Sequence, residues 1–276
     1  MRGGKNKKPH GYTIVEVMIV LAISGVMFLI AVVFIQGKGS AVQFTQGVNE
    51  FNSRIQATIQ EVADGQYASL STLGCTAGST SLTISTGGSG QGVNDQCIFM
   101  GKVVAGYGSQ YKVVSVAGRR LDPSTGQPGA NPLTSVPWPI DDTSNRGGPL
   151  DALVDQVNIQ NGVRISGSKI TVVSAGTTNS FYGVYGLALL TAPTGFASTS
   201  GSGAQTVGLY YLSGIDSTSA TNLTSIDNAI KTGMQPATSA ILCLDDGGSR
   251  KAAIVIGAGG NQLTSIVDRT GAVTCS

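Results

Sequence analysis

Imidazole is almost missing from this chain: the one histidine is His10. Beyond residue 10, no Ser-His-Asp triad, Cys-His pair or histidine-bearing zinc site is available. The four cysteines, Cys75, Cys97, Cys243 and Cys275, contain no Cys-x-x-Cys knuckle, which argues against a four-thiolate zinc site. No paired-acid motif recommends carboxylate hydrolysis. The chain is therefore not expected to be an enzyme, nor to carry a cofactor or a metal. Charge is scarce as well. Only 12% of the residues are charged, against ~25% in ordinary soluble domains. A highly charged disordered chain is excluded. The net charge of +2 likewise argues against a basic nucleic-acid binder. Even that balance is local: Arg2, Lys5, Lys7 and Lys8 precede residue 10 with no acid among them, and without these four the chain holds 13 basic against 15 acidic residues.

Against these absences stands one long apolar run. Residues 12–35, YTIVEVMIVLAISGVMFLIAVVFI, are 24 residues with a single charge, Glu16. As a helix they extend about 36 Å, more than the ~30 Å hydrocarbon core of a bilayer. The basic cluster before the run places the leader in the cytoplasm and everything after residue 35 outside. A cleaved secretory signal would have a shorter apolar stretch and a small-x-small site after it, and this run passes into Phe34-Ile35-Gln36 instead. A plain anchor leaves Glu16 unexplained. An acid in a membrane helix costs about 2.5–3.5 kcal/mol at the centre and calls for a named partner. No Lys or Arg lies within the run. A cut just before Tyr12 would create a free amine four residues from Glu16.

Gly11-Tyr12-Thr13-Ile14-Val15-Glu16, after a short basic leader and before a long apolar helix, resembles the class III signal of type IV prepilins and type II secretion pseudopilins. The resemblance covers residues 5 to 65. It implies that a prepilin peptidase cuts after Gly11, that Tyr12 becomes the N-methylated first residue, and that Glu16 is the fifth mature residue and acts in assembly. It further implies that Gly25 softens the helix and that the partners are other pilin subunits, an inner-membrane assembly platform and membrane lipid. Two positions depart from the pattern: Tyr12 stands where phenylalanine is usual, and Val33 where major pilins carry a kinking proline. The subunit would wait as a single-pass protein in the cytoplasmic membrane with its head outside. It would then join a pilus or pseudopilus at the cell surface. The alternative is a single-pass membrane-anchored adhesin with a β-rich ectodomain.

The expected class is α+β, a long amino-terminal helix packed on a β-rich, loop-rich head. Its divisions are a leader at 1–11, a membrane or filament-core helix at 12–35, an amphipathic stalk at 36–67 and a head at 68–276. Gln36-Gly37-Lys38-Gly39-Ser40 reads as a hinge, since each glycine costs about 1 kcal/mol of helix propensity. Val42, Phe44, Val48, Phe51, Ile55, Ile59 and Val62 then trace one apolar stripe from 40 to 65. In the head, strands are expected at 81–85, 97–105, 111–117, 169–174, 181–190, 206–212, 240–244, 251–256 and 262–268, with a short helix near 225–234. The proline-rich stretch 121–150 reads as a loop.

Facing an oxidising space, the four cysteines allow three pairings, of which proximity favours Cys75–Cys97 and Cys243–Cys275. Four buried free thiols are the other possibility. Gly257-Ala258-Gly259-Gly260 lacks phosphate-loop spacing and reads as a turn. Asp141-Asp142 and Asp245-Asp246 read as solvated turns in preference to calcium ligands. Asn222-Leu223-Thr224 matches a glycosylation sequon only at chance frequency. Tyr107, Tyr111, Tyr182, Tyr185, Tyr210 and Tyr211 form either a sugar- or surface-binding face or ordinary packing.

Overall fold

The structure is a computed structural model that describes residues 12–64, 73–77, 82–86, 98–120, 135–139, 154–174, 177–191, 207–232, 234–259 and 262–268. The chain divides into two units, residues 1–45 and 46–276. The first helix, α1 (Ile14–Ala63), contributes to both and runs for 50 residues. The hinge expected at 36–40 is absent, because α1 passes through both glycines without a break. Two isolated glycines cost less than abandoning the hydrogen-bond ladder between two strongly apolar helical stretches.

In the first unit, the described side chains from Ile14 to Val32 lie on the surface. In the second, the apolar stripe is buried: Val48, Phe51, Ile55, Ile59 and Val62 are each under one-tenth exposed, as is Thr58. Phe44 is buried too, whereas Val42, assigned to the same stripe from its spacing, is 65% exposed.

The head follows in short strands. A hairpin joins β1 (Leu73–Ala77) to β2 (Leu82–Thr86). Next come β3 (Ile98–Tyr107), β4 (Gln110–Arg120), β5 (Ser135–Pro139), β6 (Val154–Asn158), β7 (Arg164–Ser174), β8 (Thr177–Tyr182), β9 (Gly186–Thr191) and β10 (Val207–Leu212). After α2 (Leu223–Thr232) the chain adds β11 (Met234–Pro236), β12 (Ser239–Asp245), β13 (Lys251–Gly259) and β14 (Gln262–Asp268). Two antiparallel sheets result. The larger has the order β11-β10-β9-β3-β4, with β5 and β6 sharing successive halves of the outer side of β4. The smaller has the order β14-β13-β12-β7-β8.

Several elements differ from the expectation. Residues 181–190 do not form one strand. Gly183, at φ 70°, turns the chain out of β8 and into β9 of the other sheet. The turn is pinned by Gly183 N–H donating to Ser168 O (3.1 Å) and the Ser168 hydroxyl donating to Val184 O (2.6 Å). Within the proline-rich stretch, Ser135–Pro139 pairs with β4 as an edge strand. Prolines at alternate positions share one side of a strand, so an edge can hold Pro137 and Pro139 with no ladder donor lost. The glycines at 257–259 belong to β13 itself. The bulge at Gly101 requires glycine, since a Cβ there would sit 2.0 Å from Leu189 O.

Within the second unit, both sheets hold α1 from Gly47 onward. Phe51 meets Tyr111 of β4 edge-on, with ring centroids 5.0 Å apart, and Glu61 pairs with Lys102 of β3. On the other sheet, Gln56 Nε2 donates to Ser265 O (3.0 Å) and the Ser265 hydroxyl donates to Asn52 Oδ1 (2.9 Å). Gly47 lies where the turn 160–163 comes closest: a Cβ would be 2.7 Å from Val163 Cγ2 and 2.8 Å from Gln160 O. The sheets are joined at Gly108 and Ile165, which exchange two backbone hydrogen bonds of 2.9 and 2.7 Å.

Candidate functional site

The amino-terminal end of α1 is built by a capping residue. Thr13 stands just before the first helical residue, and its hydroxyl oxygen accepts the Glu16 N–H at 3.3 Å. Its carbonyl accepts the Val17 N–H at 3.2 Å, the first bond of the helical ladder. Thr13-Ile14-Val15-Glu16 has the spacing of a capping box, in which the residue three positions after the cap is Glu or Gln. Thr13 was not singled out from the sequence, although this spacing was there to be read. Glu16 therefore occupies the first turn, where the helix dipole favours a negative charge. Tyr12 is 81% exposed immediately before it. Gly11 lies outside the described residues.

From this start the helix offers an apolar surface that no described residue of its own unit buries. Ile14–Val32 has a mean hydropathy of 2.7 and none of its side chains is buried. At 1.5 Å per residue the span is about 28 Å, close to the thickness of a bilayer core. Exposed apolar surface of this size marks a membrane or protein interface. Glu16 is the sole charge in it. Ser24 and Gly25 interrupt the side-chain pattern halfway. The Ser24 hydroxyl bonds back to Val20 O, and a Cβ added at Gly25 would meet nothing within 4 Å. Serine back-bonding loosens a helix slightly, and Gly/Ser pairs are common kink sites. The helix is unbroken here, and no close packing requires the glycine.

The candidates in the head are accounted for by local structure. Asp245 accepts from Arg164 Nε and from Gly247 N–H (2.9 Å). Partial burial pushes its carboxyl up, but the bonds from Arg164, Gly247 and Ser166 outweigh it and hold the carboxyl below the usual range. Asp246 accepts from Gly248 N–H (2.8 Å) and pairs with Arg250 (3.3 Å), and the Gly248 bond is the main cause of its lowered pKa. These carboxylates fasten a turn. Among the described residues no three His, Cys, Asp or Glu side chains gather into a metal-binding group. Asp141 and Asp142 lie outside the described residues. Asn222 caps α2, its Oδ1 accepting the Ser225 N–H at 3.2 Å.

The tyrosines separate instead of forming one face. Tyr111 is buried against Phe51, and Tyr107 meets Tyr185 edge-on at 4.9 Å. Phe181 stacks on Tyr211 at 5.5 Å, and Tyr182, 56% exposed, lies under Lys169 Nζ. Of the cysteines, Cys75 stands in β1 opposite Ile84 and Cys243 is buried in β12 opposite Gly167. No cysteine among the described residues is free. Cys97 and Cys275 lie outside them. A cavity of about 390 Å³ between α1 and strands β3, β4 and β6 is lined by Arg54, Glu61, Lys102, Tyr111 and Asp155. Two of its charged residues are paired, Lys102 with Glu61 and Arg54 with Glu50.

Residues 6–32 match the family model described as the prokaryotic N-terminal methylation motif. Searches of curated proteins and of solved structures gave no match.

Proposed function

The chain carries the class III signal of type IV pilins and pseudopilins, and from that premise we propose that it is the precursor of a pilin-like structural subunit assembled through its amino-terminal helix. In this reading a prepilin peptidase cuts between Gly11 and Tyr12 and the new amine of Tyr12 is methylated. The basic leader stays in the cytoplasm, the Ile14–Val32 part of α1 crosses the cytoplasmic membrane, and the head faces outward. At an inner-membrane assembly platform, Glu16 of an incoming subunit pairs with the Tyr12 amine of its neighbour. Apolar helices then bundle into a filament core, replacing lipid contacts with helix contacts along Ile14–Val32. Cys75–Cys97 and Cys243–Cys275 are the proposed disulfides of the exported head.

One observation carries the reading: the motif coincides with a helix start that bears a single acid on an otherwise apolar span with no buried side chain. Pairing a membrane-buried acid is favourable against leaving it unpaired. That difference makes Glu16 a docking group. The exposed aromatics Phe181 and Tyr182 favour a second reading, an anchored adhesin whose head binds a surface.

Two substitutions test the role of Glu16. Glu16→Ala is expected to leave membrane insertion intact and lower filament incorporation. Glu16→Gln keeps the capping-box partner while removing the charge. Its incorporation is expected to fall as far as that of the alanine variant. Parental surface recovery of the glutamine variant would reduce Glu16 to a cap.

A further inference from the structure

We infer that β8 is an open sheet edge for strand addition, and that its occupant is β8 of a second copy of this chain, antiparallel and centred on Ser180. Exposed edges are templates for pairing, and folded proteins blunt them with prolines, charges, brevity or a covering element. The edges of the two large sheets show such devices at every strand but one. The strand β11 has three residues and ends in Pro236, β5 holds Pro137 and Pro139, and β6 carries Asp155. The strand β14 gives Ser265 O to Gln56 of α1 and ends in Asp268.

The strand β8, Thr-Thr-Asn-Ser-Phe-Tyr, has no charge, proline, glycine or bulge. All six residues are exposed, and among the described residues it pairs only with β7. Of the described edges of the two large sheets β8 alone lacks such a device, so between the large sheets of two copies the strand that can meet β8 is β8 itself. Such a contact is isologous, the commonest symmetry of homo-oligomers.

The sequence is self-complementary in that register. Setting Ser180 opposite the same residue of the second copy puts Thr178 opposite Tyr182 on one face and Asn179 opposite Phe181 on the other. No like charges meet. Threonine beside an aromatic ring is a favourable cross-strand pair. One strand pair buries little area, so the contact is a weak one that depends on the high local concentration of a shared membrane. A two-fold contact closes on itself and does not propagate a filament. The inference is therefore independent of cleavage at Gly11 and of the role of Glu16.

The test uses the full chain in its membrane, with Ser180→Cys and mild oxidation. Residues directly opposite across an antiparallel pair have Cβ atoms about 4.5–5.5 Å apart, near disulfide distance. A disulfide-linked homodimer is expected. The same oxidation of Ile266→Cys, on β14, should yield at least tenfold less. Adding Thr178→Lys should abolish the Ser180→Cys dimer, because it places a charge on the strand. Three outcomes overturn the proposal: no dimer although the introduced thiol accepts a maleimide, equal yield from Ile266→Cys, or an adduct with a different protein. Each would leave the processing of Tyr12 untouched.

Discussion

At the scale of single residues, close approach and hydrogen bonding decide more than residue class does. Gly47 has no special backbone angle, yet backbone and side chain from the turn 160–163 occupy the space a Cβ would need. Gly47→Ala gains helix propensity, about 1 kcal/mol. It forces a contact against Gln160 O, a backbone atom that cannot swing away, and overpacking costs about 1–3 kcal/mol. The net expectation is a lower Tm in thermal unfolding. Asp216, on an exposed turn, is held down to about 2 by hydrogen bonds from Thr218 and Ser219. A depressed carboxyl contributes stability above its unfolded value of ~3.9, and that stability is lost as pH falls toward 2. Asp216→Ala should therefore flatten the acid limb of a pH–Tm profile between about pH 4 and 2. Tyr111 is the opposite case. Burial pushes its phenol up to about 12, against the pull of Arg54. Its contribution is complete below ~10, the unfolded value, and is lost as pH rises to 12. Tyr111→Phe keeps the ring against Phe51 and should reduce the alkaline loss of Tm.

At the scale of elements, the sequence was legible wherever a face is buried. The stripe from Phe44 to Val62 on α1 repeats every three or four residues, and the structure buries it. Val42 fits the same period and is exposed, because periodicity gives a face and not where its cover begins. The strands that were missed, β1, β5, β6 and β11, include short edge strands with proline or polar residues and no apolar alternation. Such strands exist because a neighbour offers hydrogen bonds, and no local signal records that. The run 181–190 reads as one strand because both halves are apolar, and the sheet change rests on the positive φ of Gly183. Gly183→Val should consequently destabilise the junction of β8 and β9 by about 1 kcal/mol or more, read as lost amide-exchange protection in both strands. For the site, Glu16 and Tyr12 lie within the matched motif, and the roles proposed for them rest on it. The Thr13 cap was equally readable, whereas the contact of Gly47 required the fold.

At the scale of the whole molecule, the proposed export of the head goes with two proposed cross-links. The register makes Cys243–Cys275 reachable. Asp268 stands opposite Ala253, and Ala253 opposite Cys243. Two strand spacings amount to about 10 Å, and the residues from 269 to 275 extend as far as about 23 Å. On the chain-entropy model a loop of this length stabilises by roughly 3–4 kcal/mol. Cys275→Ser should lower the Tm by several degrees, and a non-reduced digest should contain one peptide pair joining Cys243 to Cys275. A pair joining Cys243 to Cys75 or Cys97 would refute that connectivity. The central claim concerns the other end of the chain, where the leader, the cap and the lone acid meet. Mass spectrometry of the protein recovered from its native envelope tests it most directly. The expected species begins at Tyr12 and carries one methyl group on its α-amine. A chain that still begins at Met1, unmodified, would contradict it.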